Sequence, residues 1–193
     1  MDLVLHKQLE TARCRITPIT IEIAEAMLAR ESSQLAQLET GSRIKFPHPF
    51  RVPPMMDDFL PAVIQRLQYE PAQVGWWGWL FADKDTRVVL GSVGVSGPPD
   101  ETGAVGIAFS IYPENENQGY TKEAVKAVTD WVVAQPGVKS LRMTIHPKNY
   151  AAVRIAQHAK FELKGTVVDA VVGEVHLYEA KTRIIVSPPS SLA

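Results

Sequence analysis

The stretch most able to do chemistry runs from Ile107 to Ala124. An apolar run, Ile107 to Tyr112, gives way at Pro113 to the polar residues Glu114-Asn115-Glu116-Asn117-Gln118-Gly119, and helix-forming sequence follows from Tyr120. A short polar loop with glycine at a helix start leaves the first-turn N–H groups without intrahelical partners. With the positive end of the helix dipole, those donors suit a phosphate or pyrophosphate. Lys122 and Lys126 lie in the first turns, where a cation opposes the dipole by ~0.3–1 kcal/mol until an anion docks. Two lysines on a solvated helix face account for the same residues with no ligand at all, so the surrounding elements have to decide.

The other reactive residue types offer less. His6, His48, His146, His158 and His176 lie far apart, without the short spacing of a zinc site, so no metal is expected. Cys14 is the sole cysteine among 193 residues, which excludes an internal disulfide and suits a reducing compartment. Lys+Arg number 20 against 21 Asp+Glu, a formal charge of −1 with no basic run, so neither nucleic acid nor a membrane surface is an expected partner. At 46% hydrophobic and 21% charged the composition is that of an ordinary globular protein. Met1–Lys7 lacks a basic start followed by an apolar run, and no stretch approaches the ~20 apolar residues of a membrane span. The expectation is a cytoplasmic protein with one domain over 1–186 and a disordered Ser/Pro-rich tail over 187–193.

The elements that must position the loop follow from periodicity. Arg13–Ile19 reads as a strand, and Thr20 caps a helix from Ile21 to Ser32 that continues weakly to Leu38. Five prolines and glycines between Thr40 and Pro54 exclude regular structure there, leaving a loop pinned to the core by Phe46 and Phe50 or folded over a substrate cleft. Asp57-Asp58 and Pro61 open a helix to about Tyr69, with Phe59, Val63 and Leu67 on one face. From Gly75 the period changes to two. Trp77, Trp79 and Phe81 alternate, Asp83–Thr86 turns, and Val88–Val95 and Ala104–Tyr112 complete an antiparallel meander. Trp76, Trp77 and Trp79 are expected to pack in the hairpin or core. A helix Tyr120–Gln135, a strand Val138–Ile145, a helix Asn149–Lys160 and strands Phe161–Val172 and Glu174–Ala180 close the chain. The strand–helix–strand unit from Ala104 to Ile145 is long enough for a parallel crossover. The fold class is therefore α/β (mixed α+β). Its centre is a mostly antiparallel mixed sheet of about six to seven strands with one parallel splayed pair, and helices lie on both faces.

On these residues the chain resembles the GNAT superfamily of acetyltransferases, in particular its RimJ/RimL-like branch. Glu116-Asn117-Gln118-Gly119-Tyr120-Thr121, followed by Lys122-Glu123-Ala124, is similar to the branch's acyl-CoA loop and helix start. Pro147-Lys148-Asn149 and Ala156 to Phe161 correspond to its downstream helix start and end, with Lys160 where the branch usually has glycine. The resemblance implies acetyl-CoA as cosubstrate, held by Glu116, Asn117, Gln118, Gly119, Tyr120, Thr121 and Lys122 at the pyrophosphate. It places the pantetheine between Phe109-Ser110-Ile111 and Met143–Ile145, with Asn149 fixing the arm. An amine, either a peptide N-terminus or a small molecule, would attack the thioester directly, with a main-chain N–H near Phe109–Ile111 stabilising the oxyanion. The acceptor should sit by the loop 40–54 and the helix 57–69, in a monomer or homodimer.

Some positions depart from the branch. Glu116 stands where it has Arg or Gln, Gly106 where many relatives carry a glutamate base, and Ala152 where some have a serine acid. The substitutes are Tyr150 as acid and His146, Glu101 or Asp100 as base or water organiser. Two readings stay open: an N-acetyltransferase, or a degenerate member that binds acyl-CoA or a protein partner without efficient turnover.

Overall fold

The computed structural model describes residues 8–42, 44–170 and 172–182. The start Met1–Lys7 and the tail 187–193 lie outside the described residues. In chain order the strands are β1 Leu9–Glu10, β2 Cys14–Pro18, β3 Trp79–Asp83, β4 Val89–Val95, β5 Ala104–Ile111, β6 Ser140–Ile145, β7 Glu162–Asp169 and β8 Gly173–Lys181. The helices are α1 Ile21–Ala29, α2 Ser32–Ser42, α3 Leu60–Tyr69, α4 Tyr120–Val133 and α5 Tyr150–His158. The strands form one eight-stranded sheet in the order β1-β2-β3-β4-β5-β6-β8-β7. The expected six to seven strands become eight because the two-residue β1 carries too few residues for a periodicity.

Alternation sorts the core into two halves. In β3, Trp79 and Phe81 enter one face, Leu80 and Ala82 the other, and all four are buried, so helices must cover both sides. On one face Trp79, Phe81, Val93, Ile107 and Leu141 pack against Val125, Val128 and Val132 of α4 and Ala156 of α5. On the other, Leu80, Ala82 and Tyr112 pack against Ile23 and Met27 of α1 and Leu60, Val63 and Leu67 of α3. Thr20 Oγ1 accepts from Ile23 N at 3.3 Å and caps α1, while Arg30 at φ 57° turns left-handed and separates α1 from α2. The buried stripe of α3 starts at Leu60, one residue later than expected, because the helix begins there, and Phe59 stays 58% exposed.

The loop before α3 is pinned. Phe46 is buried and meets Phe50 edge-on at 5.2 Å, the Tyr112 hydroxyl donates to Arg51 O at 2.6 Å, and Arg51 pairs with Glu114. Its far end therefore borders the β5–α4 junction. As expected, Trp79 is core, Trp76 packs edge-on against Trp131, and Trp77 packs on the second core half, against Gly97 and with the Arg66 guanidinium 5.4 Å above its ring. No helix among the described residues is long and apolar enough to cross a membrane.

The feature that matters most is the parallel strand pair β5–β6. β5 and β6 share only the rungs Ala104↔Ser140, Val105↔Leu141 and Gly106↔Arg142. Beyond Gly106, β5 continues to Ile111 against β4 alone, and beyond Arg142, β6 continues to Ile145 against β8 alone. The two strands splay into a wedge with its vertex at Gly106/Arg142 and its mouth at Ile111/Ile145, about 17 Å along at ~3.3 Å per residue.

Candidate active site

Backbone parity decides what the wedge offers. Tyr112 N donates to Leu90 O and Gly106 O accepts from Ser96 N, so even-numbered residues of β5 turn their main-chain groups to β4. Phe109 and Ile111 therefore aim N–H and C=O into the wedge. Ser110 aims its main chain at β4, and its hydroxyl shares a 3.0 Å bond with Ser92. In β6 the Lys139 carbonyl faces β8 and Ser140 N faces Gly103 O, so Thr144 contributes the facing groups on the other wall.

At the mouth, the chain leaves β5 through a turn at Pro113–Asn115 and enters α4 at Gly119, the N-cap, with φ 86°. Asn117 is left-handed as well, at φ 60°. These two kinks stand the exposed residues Glu116–Gly119 off the sheet and leave the first-turn amides of α4 without a side-chain cap. Thr121 is buried under the loop, Tyr120 is half-buried and Lys122 is exposed. Lys126, expected beside it as a second free cation, is drawn along the helix into a 2.6 Å pair with Asp130.

A side chain from the opposite end of the sequence braces this loop. Arg13, just before β2, donates from Nε to Glu123 Oε1 at 2.6 Å and from Nη1 to Gln118 O at 2.9 Å, with its guanidinium 4.6 Å over the Tyr120 ring. Thr11 Oγ1 and Arg13 N also donate to Glu123 Oε2, at 2.7 and 3.2 Å. Burial works against charge on Glu123, but these bonds outweigh it and hold the carboxyl below its ordinary value. Because a trans peptide sets its C=O and N–H on opposite sides, fixing Gln118 O toward Arg13 turns Gly119 N–H away from it. The Tyr120 hydroxyl donates to Asp83 Oδ2 at 3.3 Å and closes the bracket on the β3 side.

At the vertex the chemistry comes from side chains. Ser96, the residue after β4, is exposed; its N–H donates to Gly106 O at 3.0 Å and its Oγ accepts from Gly106 N at 2.7 Å. Across the parallel rung, Arg142 reaches Glu179 at 3.4 Å, Asp100 at 3.5 Å and Thr102 at 3.5 Å, and Ser140 Oγ donates to Glu179 at 3.0 Å. Bonds from the Thr102 hydroxyl and the Ala104 N–H hold the Asp100 carboxyl below its ordinary value, as one arm of a closed turn.

The candidate acid and base groups do not converge. Tyr150 is 69% exposed at the start of α5, and His146 Nδ1 accepts from Lys148 N at 3.2 Å, so both stand at the mouth. Glu101 is exposed in the β4–β5 turn, past the vertex, more than about 17 Å away along the strands. Asn149 caps α5 by accepting from Ala152 N at 3.1 Å. Cys14 is buried, and desolvation pushes its thiol up to about 11, so it offers no thiolate nucleophile. Arg13, Ser96, Arg142 and Glu179 escaped the sequence reading, since each reaches its place through strand pairing rather than a local motif. Among the described residues, no group of three or more His, Cys, Asp or Glu could hold a metal.

The model of the family described as Acetyltransferase (GNAT) domain matches residues 13–162. An uncharacterized N-acetyltransferase of Bacillus subtilis (strain 168), YjdG, is 23% identical over 158 residues, 80% of this chain and 89% of that protein. The ribosomal-protein-S5-alanine acetyltransferase of Vibrio fischeri superposes with a TM-score of 0.65 at 15% identity, covering 92% of this chain and 97% of that one. The RimL ribosomal L7/L12 alpha-N-protein acetyltransferase in complex with coenzyme A does so with a TM-score of 0.61 at 10% identity, covering 91% and 98%. At such identities the solved structures speak for the fold alone.

Proposed function

The chain belongs to the GNAT acetyltransferase family, and from that premise we propose that it is an N-acetyltransferase of the RimJ/RimL-like branch. It moves acetyl from acetyl-CoA to an amine, a peptide N-terminus or a small molecule, by direct attack in a ternary complex. The observation that carries this reading is the wedge, whose walls turn the N–H and C=O groups of Phe109, Ile111 and Thr144 toward an extended, amide-bearing guest. The donor's phosphates would meet the first-turn amides at Tyr120, Thr121 and Lys122, with Gly119 letting the backbone close in. Asn149 and Tyr150 flank the same mouth. In the reaction the amine nitrogen forms a C–N bond to the acetyl carbon and the C–S pair leaves on sulfur. Nitrogen gives up one proton and sulfur takes one, so the sum is amide plus free thiol. A buried, protonated Cys14 leaves no acyl-thiol relay for this transfer.

Calorimetric titration with CoA, followed by thiol release across an amine panel, tests the reading. Micromolar CoA binding and acceptor-dependent thiol release are the expected results, and no binding at millimolar CoA would sink it. The second reading, a member that binds acyl-CoA without efficient turnover, is favoured by the separation of Tyr150 and His146 from Glu101. CoA binding with no thiol release from any amine would select it.

A further inference from the structure

We infer that Ser96 is the residue that meets the acceptor amine, receiving a hydrogen bond, and then the proton, from the attacking nitrogen. The inference rests on the proposed acetyl transfer and names a group that acts in it. A donor that enters the mouth with its phosphates on α4 and lays its arm along β5 brings its reacting end to the vertex, the last place the wedge is open. The residue there is Gly106, and what stands over Gly106 is Ser96. A Cβ built on Gly106 would lie 2.9 Å from Ser96 Oγ and 3.0 Å from Ser96 Cβ. The hydroxyl therefore fills the space that any side chain at 106 would need.

The hydrogen bonds specify how that hydroxyl is used. In an ordinary antiparallel rung the Gly106 N–H would go to a main-chain carbonyl of β4. Here Ser96 Oγ takes that N–H at 2.7 Å, while Ser96 N returns the bond to Gly106 O. One lone pair of the hydroxyl is thereby fixed, leaving one lone pair and the hydrogen for the exposed side. Next to it the sheet surface is open: Ala108 is exposed, Gly94 and Gly106 carry no side chain, and a Cβ at Gly94 would meet Ala108 Cβ at an ordinary 3.6 Å. Trp77, packed on Gly97, borders this floor on one side and Arg142 on the other. An amine approaching across it can donate one N–H to Ser96 Oγ and keep its lone pair toward the wedge.

The proton ledger balances without a titrating base. A protonated acceptor gives its first proton to solvent before it attacks. As the C–N bond forms and the C–S bond breaks, the nitrogen's proton moves to Ser96 Oγ while the seryl hydrogen passes to water, and sulfur takes a proton from water. Serine does not ionise between pH 5 and 9, so the rising limb of kcat/KM against pH belongs to the acceptor and follows its pKa.

The test uses the full chain, saturating acetyl-CoA and whichever primary amines the panel returns. Ser96→Ala is expected to lower kcat/KM for the amine about 10–100-fold, the range of one lost hydrogen bond at a reacting centre. CoA affinity should stay within twofold. Ser96→Thr, which keeps the hydroxyl, should recover most of the loss, a rescue that mere packing at 96 would not need. Two amines of different basicity should move the rising limb with them. A limb fixed at one pH for both, or a Ser96→Ala variant as active as wild type, overturns the inference. Equal losses in Ser96→Thr and Ser96→Ala overturn it too. A wild-type chain that binds no CoA or releases no thiol refutes the function itself, a result distinct from all of these.

Discussion

The two ends of the wedge are built on opposite principles. The mouth is made of contiguous residues, Glu116 to Lys122, presenting main-chain amides that depend on conformation more than on side-chain identity. The vertex is made of residues from four separate segments brought together by three strand pairings, with the side chains of Ser96, Arg142 and Glu179 presented around Gly106. Backbone donors suit a donor molecule that never changes; side-chain donors suit an acceptor that differs from one protein to the next. If the division holds, mutations at the mouth change donor binding and mutations at the vertex change acceptor turnover, with little crossing over.

The largest effect should come from Gly119→Glu. A carboxylate would enter the place proposed for the phosphates, at a left-handed residue whose Cβ would already stand 3.0 Å from Arg13 Nη2. CoA affinity is expected to fall at least about 100-fold by titration calorimetry, in line with a lost anion site plus strain of order 1 kcal/mol or more, while circular dichroism stays native. Retained affinity would remove the mouth from donor binding. Gly106→Glu is the counterpart at the vertex. Its Cβ would displace Ser96, costing about 1–3 kcal/mol in a urea melt as overpacking, and amine turnover should drop to background. CoA affinity should stay within threefold; a parallel loss of both would erase the distinction between the two ends.

Arg13→Gln asks how much of the mouth is set from outside. The substitution frees Gln118 O and with it the direction of Gly119 N–H. CoA should bind about tenfold more weakly, roughly 1.4 kcal/mol, whereas pantetheine, which lacks the phosphates, should bind unchanged. Equal weakening of both would mean that Arg13 only supports the fold. Its partner Glu123 adds a pH dependence. The Glu123 carboxyl lies below its ordinary value in the folded chain, so its contribution is present above the unfolded value near 4.5 and disappears as pH falls through the folded one. Glu123→Gln should accordingly melt lower than wild type at pH 7, and the gap should close as pH falls through the folded value of Glu123. A gap that does not change with pH would show that the charge is not what matters.

How much of this could be read in advance follows the same line. The strand Ala104–Tyr112, the glycine-started helix and the cap Thr20 are local in sequence, and the structure has them, with the strand ending one residue earlier at Ile111; the cap that Asn149 makes on α5 comes from the structure alone. The periodicity puts Phe59 on the buried stripe of α3, but Leu60 takes that place because Leu60 and Pro61, not Asp57-Asp58, begin the helix. Arg13 and Glu123 are 110 positions apart and meet only because β1 and β2 run beside α4. Ser96 gave no signal either, since its role exists only once β4 and β5 are in register. Tyr150, His146 and Glu101 were each reasonable as types, yet the register sets them at opposite ends. Local motifs reveal a site made of backbone; a site made of side chains from several strands stays hidden until the strands are paired.

The smallest effect concerns the seam between α4 and α5, which flanks the mouth. His158 closes α5, and its imidazole is held below its ordinary value of 6.5, first by desolvation and then by Lys122, Lys160 and Lys126, the last shared with Asp130. The folded chain therefore binds this proton less well than the unfolded one, and stability is lost as pH falls through the folded value. A phosphate-bearing ligand beside Lys122 reverses the sign locally: it favours the imidazolium, so the His158 pKa should rise on CoA binding and CoA should bind more tightly at pH 6 than at pH 8. One exposed charge in water carries little energy, so the gain should stay below about threefold. An NMR titration of the His158 ring with and without CoA measures it directly. An upward shift that disappears in Lys122→Gln would tie the seam to the mouth, whereas a His158 pKa indifferent to CoA would confine donor binding to the backbone amides of Gly119 to Lys122.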